Sequence, residues 1–256
     1  MIEWNVSPEI FRIDGFALRW YSLGFVISFL LGYYLIREML RREKKPLVYV
    51  DDLFVYVFIG TIVGARLGHC LFYDLGYYLR HPLEILMIWH GGLASHGAAI
   101  GILVALYIFA KKRQENFLWT LDRVVIVVAL AGFFIRLGNL FNSEIIGKPT
   151  DVPWAFIFTR VDNIPRHPTQ IYEAIAYLGI FGIFYRLYSK NWKNLRQGYL
   201  FGLFLISVFG FRFFVEFFKE VQSPWETKLP LDMGQILSIP FVLAGIYFIT
   251  RKGRAG

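Results

Sequence analysis

Arg136-Leu137-Gly138-Asn139-Leu140-Phe141-Asn142-Ser143-Glu144, closed by Gly147, sets a permanent cation, two carboxamides and a carboxylate at the end of an apolar run from Val124 to Ile135. A guanidinium at membrane depth costs roughly 2.5–3.5 kcal/mol on insertion scales, so its presence there calls for a reason. The short hydrogen-bonding side chains around it suit the fixing of an anion better than the packing of a core. An arginine that only snorkels to lipid headgroups needs no asparagines and glutamate beside it.

Other polar residues fall at a similar depth in other apolar runs. Tyr21 is about five residues inside its run, roughly 8 Å at ~1.5 Å per residue. Arg66 is near the end of the second run, His96 about eight residues into the third, and Arg212 about six from the end of the sixth. Glu216 follows Arg212 at i+4, on the same helical face. His96 sits among glycines in His90-Gly91-Gly92-Leu93-Ala94-Ser95-His96-Gly97, where close backbone approach leaves room at the imidazole. Neighbouring cations favour a neutral imidazole, the form that accepts a proton. Ser95 points about 100° away from His96 on a helix, so the two do not form a hydrolase pair. No HExxH or CxxC occurs, His69, His81 and His90 share no helical face, and neither a metal nor a cofactor is expected. The lone cysteine, Cys70, reads as a small buried hydrophobe. In Arg166-His167-Pro168-Thr169-Gln170-Ile171-Tyr172-Glu173 a helix begins, with Thr169 expected to cap it and Glu173 to orient an arginine. Asp232 is expected to cap the last helix.

Several arginines without metal ligands suit a lipid phosphate, which a guanidinium grips bidentately while staying charged when desolvated. Transfer of the phosphate, of an acyl chain or of a glyceryl group would all fit, and composition does not choose among them. A transporter of a lipid or anionic solute, or a phospholipid-dependent acyltransferase, stands as the alternative. Transporters of that kind usually place their site at the midplane between repeated halves, whereas this polar layer is off-centre and no repeat is visible.

The elements that must hold these groups are membrane helices. The 256 residues are 56% hydrophobic, 19% aromatic and 18% charged, with a mean hydropathy of +0.48. This composition predicts a polytopic membrane protein and excludes an ordinary soluble domain. Seven apolar spans are expected, near 16–36, 53–73, 88–110, 124–140, 171–188, 199–218 and 235–250. The fourth and last are short enough to be tilted or half-buried. Fifteen of the 27 Lys and Arg residues follow the first, third, fifth and seventh spans, from Arg37 through Lys45, Lys111 to Arg113, Arg186 to Arg196, and Arg251 to Arg254. The remaining connectors hold only Arg80, Lys148, Arg160, Arg166, Lys219 and Lys228, mixed with acids. The positive-inside rule therefore puts the N-terminus outside and the C-terminus in the cytoplasm, with the polar layer in the outer half of the membrane. The net charge of +8 is then a topology signal and an attraction to anionic lipid, not a nucleic-acid surface. Connectors 74–87 and 141–170 are long, aromatic and Pro-bearing, as interfacial functional loops are. Residues 1–13 carry Glu3, Glu9 and Arg12 without a basic n-region, so no cleavable signal peptide is expected. The expected fold class is an all-α polytopic membrane protein, a single integral membrane domain over 1–256.

Seven motifs, in order along nearly the whole chain, carry a resemblance to a known family. They are Leu18-Arg19-Trp20-Tyr21, Gly64-Ala65-Arg66-Leu67-Gly68, Gly91-Gly92 through His96-Gly97, and Arg136-Leu137-Gly138-Asn139 through Asn142, Glu144 and Gly147. Arg166 to Glu173, Phe211-Arg212 through Glu216, and Met233-Gly234-Gln235 complete them. The chain resembles the bacterial phosphatidylglycerol–prolipoprotein diacylglyceryl transferases. The resemblance implies seven spans with the N-terminus outside, in the bacterial plasma (inner) membrane. It also implies transfer of diacylglyceryl from phosphatidylglycerol to the lipobox cysteine thiol of a prolipoprotein, forming a thioether and releasing glycerol phosphate. The implied catalytic residues are His96, Arg212, Tyr21, Glu144 and Asn139. The implied substrate-binding residues are Arg136, on the phosphate, with Arg66, Asn142, Gly147 and Glu216. Two positions depart from the family pattern: Ala98 stands where a second glycine is expected, and Val208 or Phe209 where a tyrosine is, removing a hydroxyl.

Overall fold

The computed structural model describes residues 1–14, 16–220 and 230–251. Lys228, Lys252 and Arg254, used in the charge asymmetry above, lie outside them. Among the described residues a helix follows each expected apolar run: α1 (Trp20–Arg42), α2 (Val48–Phe72), α4 (Ser95–Arg113), α5 (Phe117–Asn142), α6 (Thr169–Asn191), α7 (Tyr199–Val215) and α8 (Met233–Thr250). A short helix, α3 (Leu75–Arg80), lies between α2 and α4. Five of these helices are long and apolar enough to cross a membrane: α1, α2, α5, α7 with its 3-10 extension to Phe218, and α8. The protein is a mostly helical, multi-pass membrane protein.

The boundaries differ from expectation in three places. The fourth span is not short: α5 is 26 residues long, because the polar groups at its start have partners. The Asn116 carboxamide accepts from the backbone of Leu118 and Trp119, and the Asp122 carboxylate accepts from the N–H groups of Gly198 and Phe201 at the start of α7. The third helix begins at Ser95 rather than near 88, since Gly91 and Gly92 have φ of 82° and 70° and break the path. His96 is therefore in the first turn of α4. Thr169 does not cap α6; it is the first helical residue, and its hydroxyl donates to the Ile145 carbonyl at 2.8 Å. Asp232 does cap α8, in a reciprocal box with Gln235.

The all-α expectation is corrected by two small sheets. β1 (Ile2–Trp4) runs parallel to β4 (Phe156–Phe158), which pairs antiparallel with β5 (Pro165–Arg166). β2 (Glu9–Ile13) and β3 (Phe16–Arg19) form a hairpin that turns at Asp14, whose φ is 44°, in an Asp-Gly dipeptide. β3 takes the residues expected to open the first span, so Tyr21 is the second residue of α1.

Two compact units compose the described chain, residues 1–34 with 122–256 and residues 35–121; one division falls inside α1 and the other inside α5. In the second unit, α2 and α4 cross at glycines. A Cβ on Gly64 would stand 2.4 Å from the Gly97 carbonyl oxygen, and one on Gly97 only 2.3 Å from that of Gly64, so neither position tolerates a side chain. An Arg113–Asp52 ion pair ties the other ends of these helices, and Lys45 meets Glu115 at 2.6 Å. In the first unit, Arg196 donates to the carbonyls of Phe248, Ile249 and Arg251, closing the C-terminal end of α8.

Candidate active site

The first unit joins most of the expected site residues in one polar row. Arg136, about three-quarters of the way along α5, turns Nε to Glu173 of α6 at 3.2 Å and Nη1 to the Asn139 carboxamide oxygen at 3.3 Å. The Asn139 amide donates to Glu144 at 3.3 Å, and the Asn142 amide donates to the other oxygen of Glu144 at 3.1 Å. Glu144 thus accepts from both carboxamides, which orients them. Its backbone N–H returns to the Asn139 carbonyl, and the Gln170 amide donates to its carbonyl at 2.6 Å. Ser143 and Ile145 take positive φ, 55° and 56°, as the chain leaves the helix. This sharp exit is what brings Glu144 back over Asn139.

Glu173 is fully buried and contacts two cations, Arg136 and, at 3.1 Å, the ammonium of Lys219. Lys219 is also 3.0 Å from Glu216, and Glu216 is 3.5 Å from Nε of Arg212. The row reads Asn142, Glu144, Asn139, Arg136, Glu173, Lys219, Glu216, Arg212. Tyr177 of α6 lies with its ring 5.9 Å from the Arg136 guanidinium and within electrostatic reach of both Arg136 and Arg212. Arg212 is the more open of the two arginines, with 39% of its side chain exposed against 14% for Arg136.

Tyr21 packs directly on α5. A Cβ on Gly138 would fall 2.5 Å from the Tyr21 ring and 3.1 Å from its Cα, so the glycine is what admits the tyrosine beside Asn139. Gly147 is held from three sides. Its N–H donates to the His167 carbonyl at 3.0 Å, its carbonyl accepts from Arg166 at 3.2 Å, and it bridges to Lys219. Arg166, itself buried, forks onto Asp162 at 2.6 Å and reaches Glu220 at 2.6 Å. That contact holds the Asp162 carboxyl below the usual carboxylate range and raises the Arg166 guanidinium. Burial pushes the neighbouring His167 imidazole below its ordinary value.

Arg66 and His96 belong to the second unit. Arg66 is buried, and its guanidinium donates to the carbonyls of Ile85, Gly91, Gly92 and Glu84 and stacks 5.0 Å from the Tyr78 ring. Four of its contacts go to backbone, so it holds segment 84–92 in place. His96 is exposed, edge-on to Phe72 at 5.3 Å and 5.7 Å from Tyr73.

Lys219 and Tyr177 were not singled out from the sequence. For Lys219 a cue exists: it lies three residues past Glu216 and seven past Arg212, the spacing of one helical face.

A family model described as prolipoprotein diacylglyceryl transferase matches residues 8–251. The chain belongs to that family. A phosphatidylglycerol–prolipoprotein diacylglyceryl transferase of Chloroherpeton thalassium is 52% identical over 249 residues, covering 97% of this chain and 93% of the relative. The transferase of the same name from Tolumonas auensis is 49% identical, covering 96% and 95%. That from Rhodospirillum rubrum is 39% identical, covering 98% and 93%. The matched range spans every position of the polar row.

Proposed function

We propose that this protein transfers the diacylglyceryl group from phosphatidylglycerol to the lipobox cysteine thiol of prolipoproteins, forming a thioether and releasing glycerol phosphate. The observation that carries this reading is the joining of Arg136 and Arg212 through Glu173, Lys219 and Glu216. Two guanidiniums held on one scaffold suit a single phosphate. The thiolate sulfur attacks the diacylglyceryl carbon that bears the phosphate oxygen, and the carbon–oxygen bond breaks. Its electron pair passes to the phosphate, whose charge grows from one negative to two, and fixed cations stabilise the phosphate most as that charge develops. Arg136 and Arg212 are assigned to the phosphate, with Asn139, Asn142 and Glu144 fixing Arg136 and the lipid glycerol, and Tyr21, Gly147 and Glu216 lining the same row. His96 is assigned as the acceptor of the thiol proton. Arg66 contributes by fixing the glycine-rich segment that precedes α4.

The reading includes seven transmembrane helices, with α4 and α6 added to the five apolar ones, the N-terminus outside and the C-terminus cytoplasmic. It also includes one integral membrane domain, since α1 and α5 run unbroken across both unit divisions. The site faces the outer leaflet of a bacterial inner membrane, and its partners are phosphatidylglycerol and prolipoprotein signal peptides. Incubation of the purified protein with headgroup-labelled phosphatidylglycerol and a lipobox peptide tests the reaction. Water-soluble labelled glycerol phosphate is expected only when the thiol is present, with one diacylglyceryl added per cysteine. Stoichiometric lysophosphatidylglycerol, the product of acyl transfer, would overturn the reading.

A further inference from the structure

We infer that Lys219 is a positioning residue that couples Arg136 and Arg212 into one clamp and keeps its carboxylates from outweighing its cations. The inference rests on the transfer reaction proposed above. Lys219 ends the 3-10 turn after α7, is 4% exposed, and places its ammonium 3.1 Å from Glu173 and 3.0 Å from Glu216. Each of those carboxylates faces one arginine: Glu173 faces Arg136, and Glu216 faces Arg212. The lysine is thus the member that the two arginine–carboxylate pairs share.

Its position is fixed by backbone as well as by charge. Lys219 forms an antiparallel bridge with Gly147; on either side of it Lys148 N–H donates to Phe218 at 2.8 Å and Glu220 N–H to Ile146 at 3.2 Å. The loop that follows Glu144 therefore grips the backbone of the residue whose ammonium separates Glu173 from Glu216. Movement of that loop would move both carboxylates, and with them both guanidiniums.

Charge gives the second argument. The five linked groups hold three cations, Arg136, Lys219 and Arg212, against two carboxylates. With Glu144, joined to Arg136 through Asn139, the whole row balances three cations against three carboxylates. Without Lys219 the row would carry a net negative charge, unsuited to a phosphodiester anion, and Glu173 and Glu216 would lose the cation that they share. A buried ion cluster is a poor source of stability compared with apolar packing, so a geometric role accounts better for a lysine at this depth.

The test compares Lys219→Met, Lys219→Arg and the doubly changed Lys219→Met/Glu173→Gln, which removes one charge of each sign and so spares folding. Phosphatidylglycerol binding without peptide, kcat and KM are measured for folded protein, with thermal midpoints alongside. Lys219→Met is expected to lose about 10²-fold in kcat, the size of effect seen for a misplacement of about 1 Å in a catalytic group. KM and lipid binding should change only a few-fold, and Lys219→Arg should restore most turnover. The double variant should fold and remain slow. In an Arg136→Lys background the Lys219→Met change should have little further effect, because the clamp is already broken. Wild-type kcat in either methionine-bearing variant, or a loss equal only to the fraction unfolded, would overturn the inference. Failure of the wild-type protein to form the thioether would count instead against the reaction itself.

Discussion

Arg136 keeps its charge when changed to lysine but loses the fork that can grip two phosphate oxygens while Nε stays on Glu173. Arg136→Lys is therefore expected to lower kcat/KM by about 10²–10³-fold, the range for removing a preorganised donor at a developing oxyanion. Near-normal turnover at normal expression would remove Arg136 from the phosphate. His96→Gln separates proton transfer from lipid binding. Turnover in the variant should fall by about 10²–10⁴-fold, the usual contribution of a general base, while phosphatidylglycerol binding is kept. Unchanged turnover in the variant would assign the proton to another group. At this scale the sequence was readable where chemistry is concentrated: an arginine, two asparagines and a glutamate within nine residues announce themselves. Lys219 did not, because its partners Glu173 and Glu216 lie 46 and three residues away and only the fold makes them a set. Nor does any spacing reveal that Arg66 would give its donors to backbone carbonyls.

The helices were legible as elements because each is a long apolar run, and their ends were not. Polar residues such as Asp122 look like a boundary, yet here they lie within a helix because the backbone of another helix meets them. The strands were hidden for a related reason, as three residues carry no period and β1 finds its partner in β4. The crossing of α2 and α4 makes a sharp demand: Gly97→Ala should destabilise the protein by about 1–3 kcal/mol, the usual cost of overpacking, read as a lower thermal midpoint in detergent. An unchanged midpoint would mean that the helices do not touch there. The loop between α5 and α6 should loosen in two steps as pH falls. The imidazole of His167 resists protonation in the folded state, so the stability linked to it is complete above about 6.5 and declines below that. The carboxyl of Asp162 is depressed by Arg166, so its share is complete above about 3.9 and is lost at lower pH. Proteolysis of residues 146–167 followed across pH should show both steps, the first absent in His167→Gln and the second in Asp162→Asn.

For the whole molecule, the orientation proposed from the alternation of basic loops can be checked by labelling. In a Cys70→Ala background, a cysteine at Thr150 should react with an impermeant reagent in intact cells, and one at Lys44 should not. Modification at position 44 would invert the chain and move the polar row to the inner leaflet. Cys70 is itself buried, so its removal leaves a surface without competing thiols.

The pairing of the first residues with β4 also imposes an order in time. Ile2 opposes Phe156 and Trp4 opposes Phe158, and the Trp4 indole caps the Leu140 carbonyl at 3.0 Å, one turn beyond Arg136. A ribosome adding ~5–20 residues per second needs about 8–30 s to travel from the first of these partners to the second. Through that interval the opening strand waits unpaired while the chain through α5 is synthesised. Once β4 has emerged it can hold β1, and with it the indole that caps the end of α5. The polar row is thus completed late in biogenesis, and a nascent chain arrested before residue 156 would carry Arg136 in the membrane without the cap that steadies its helix.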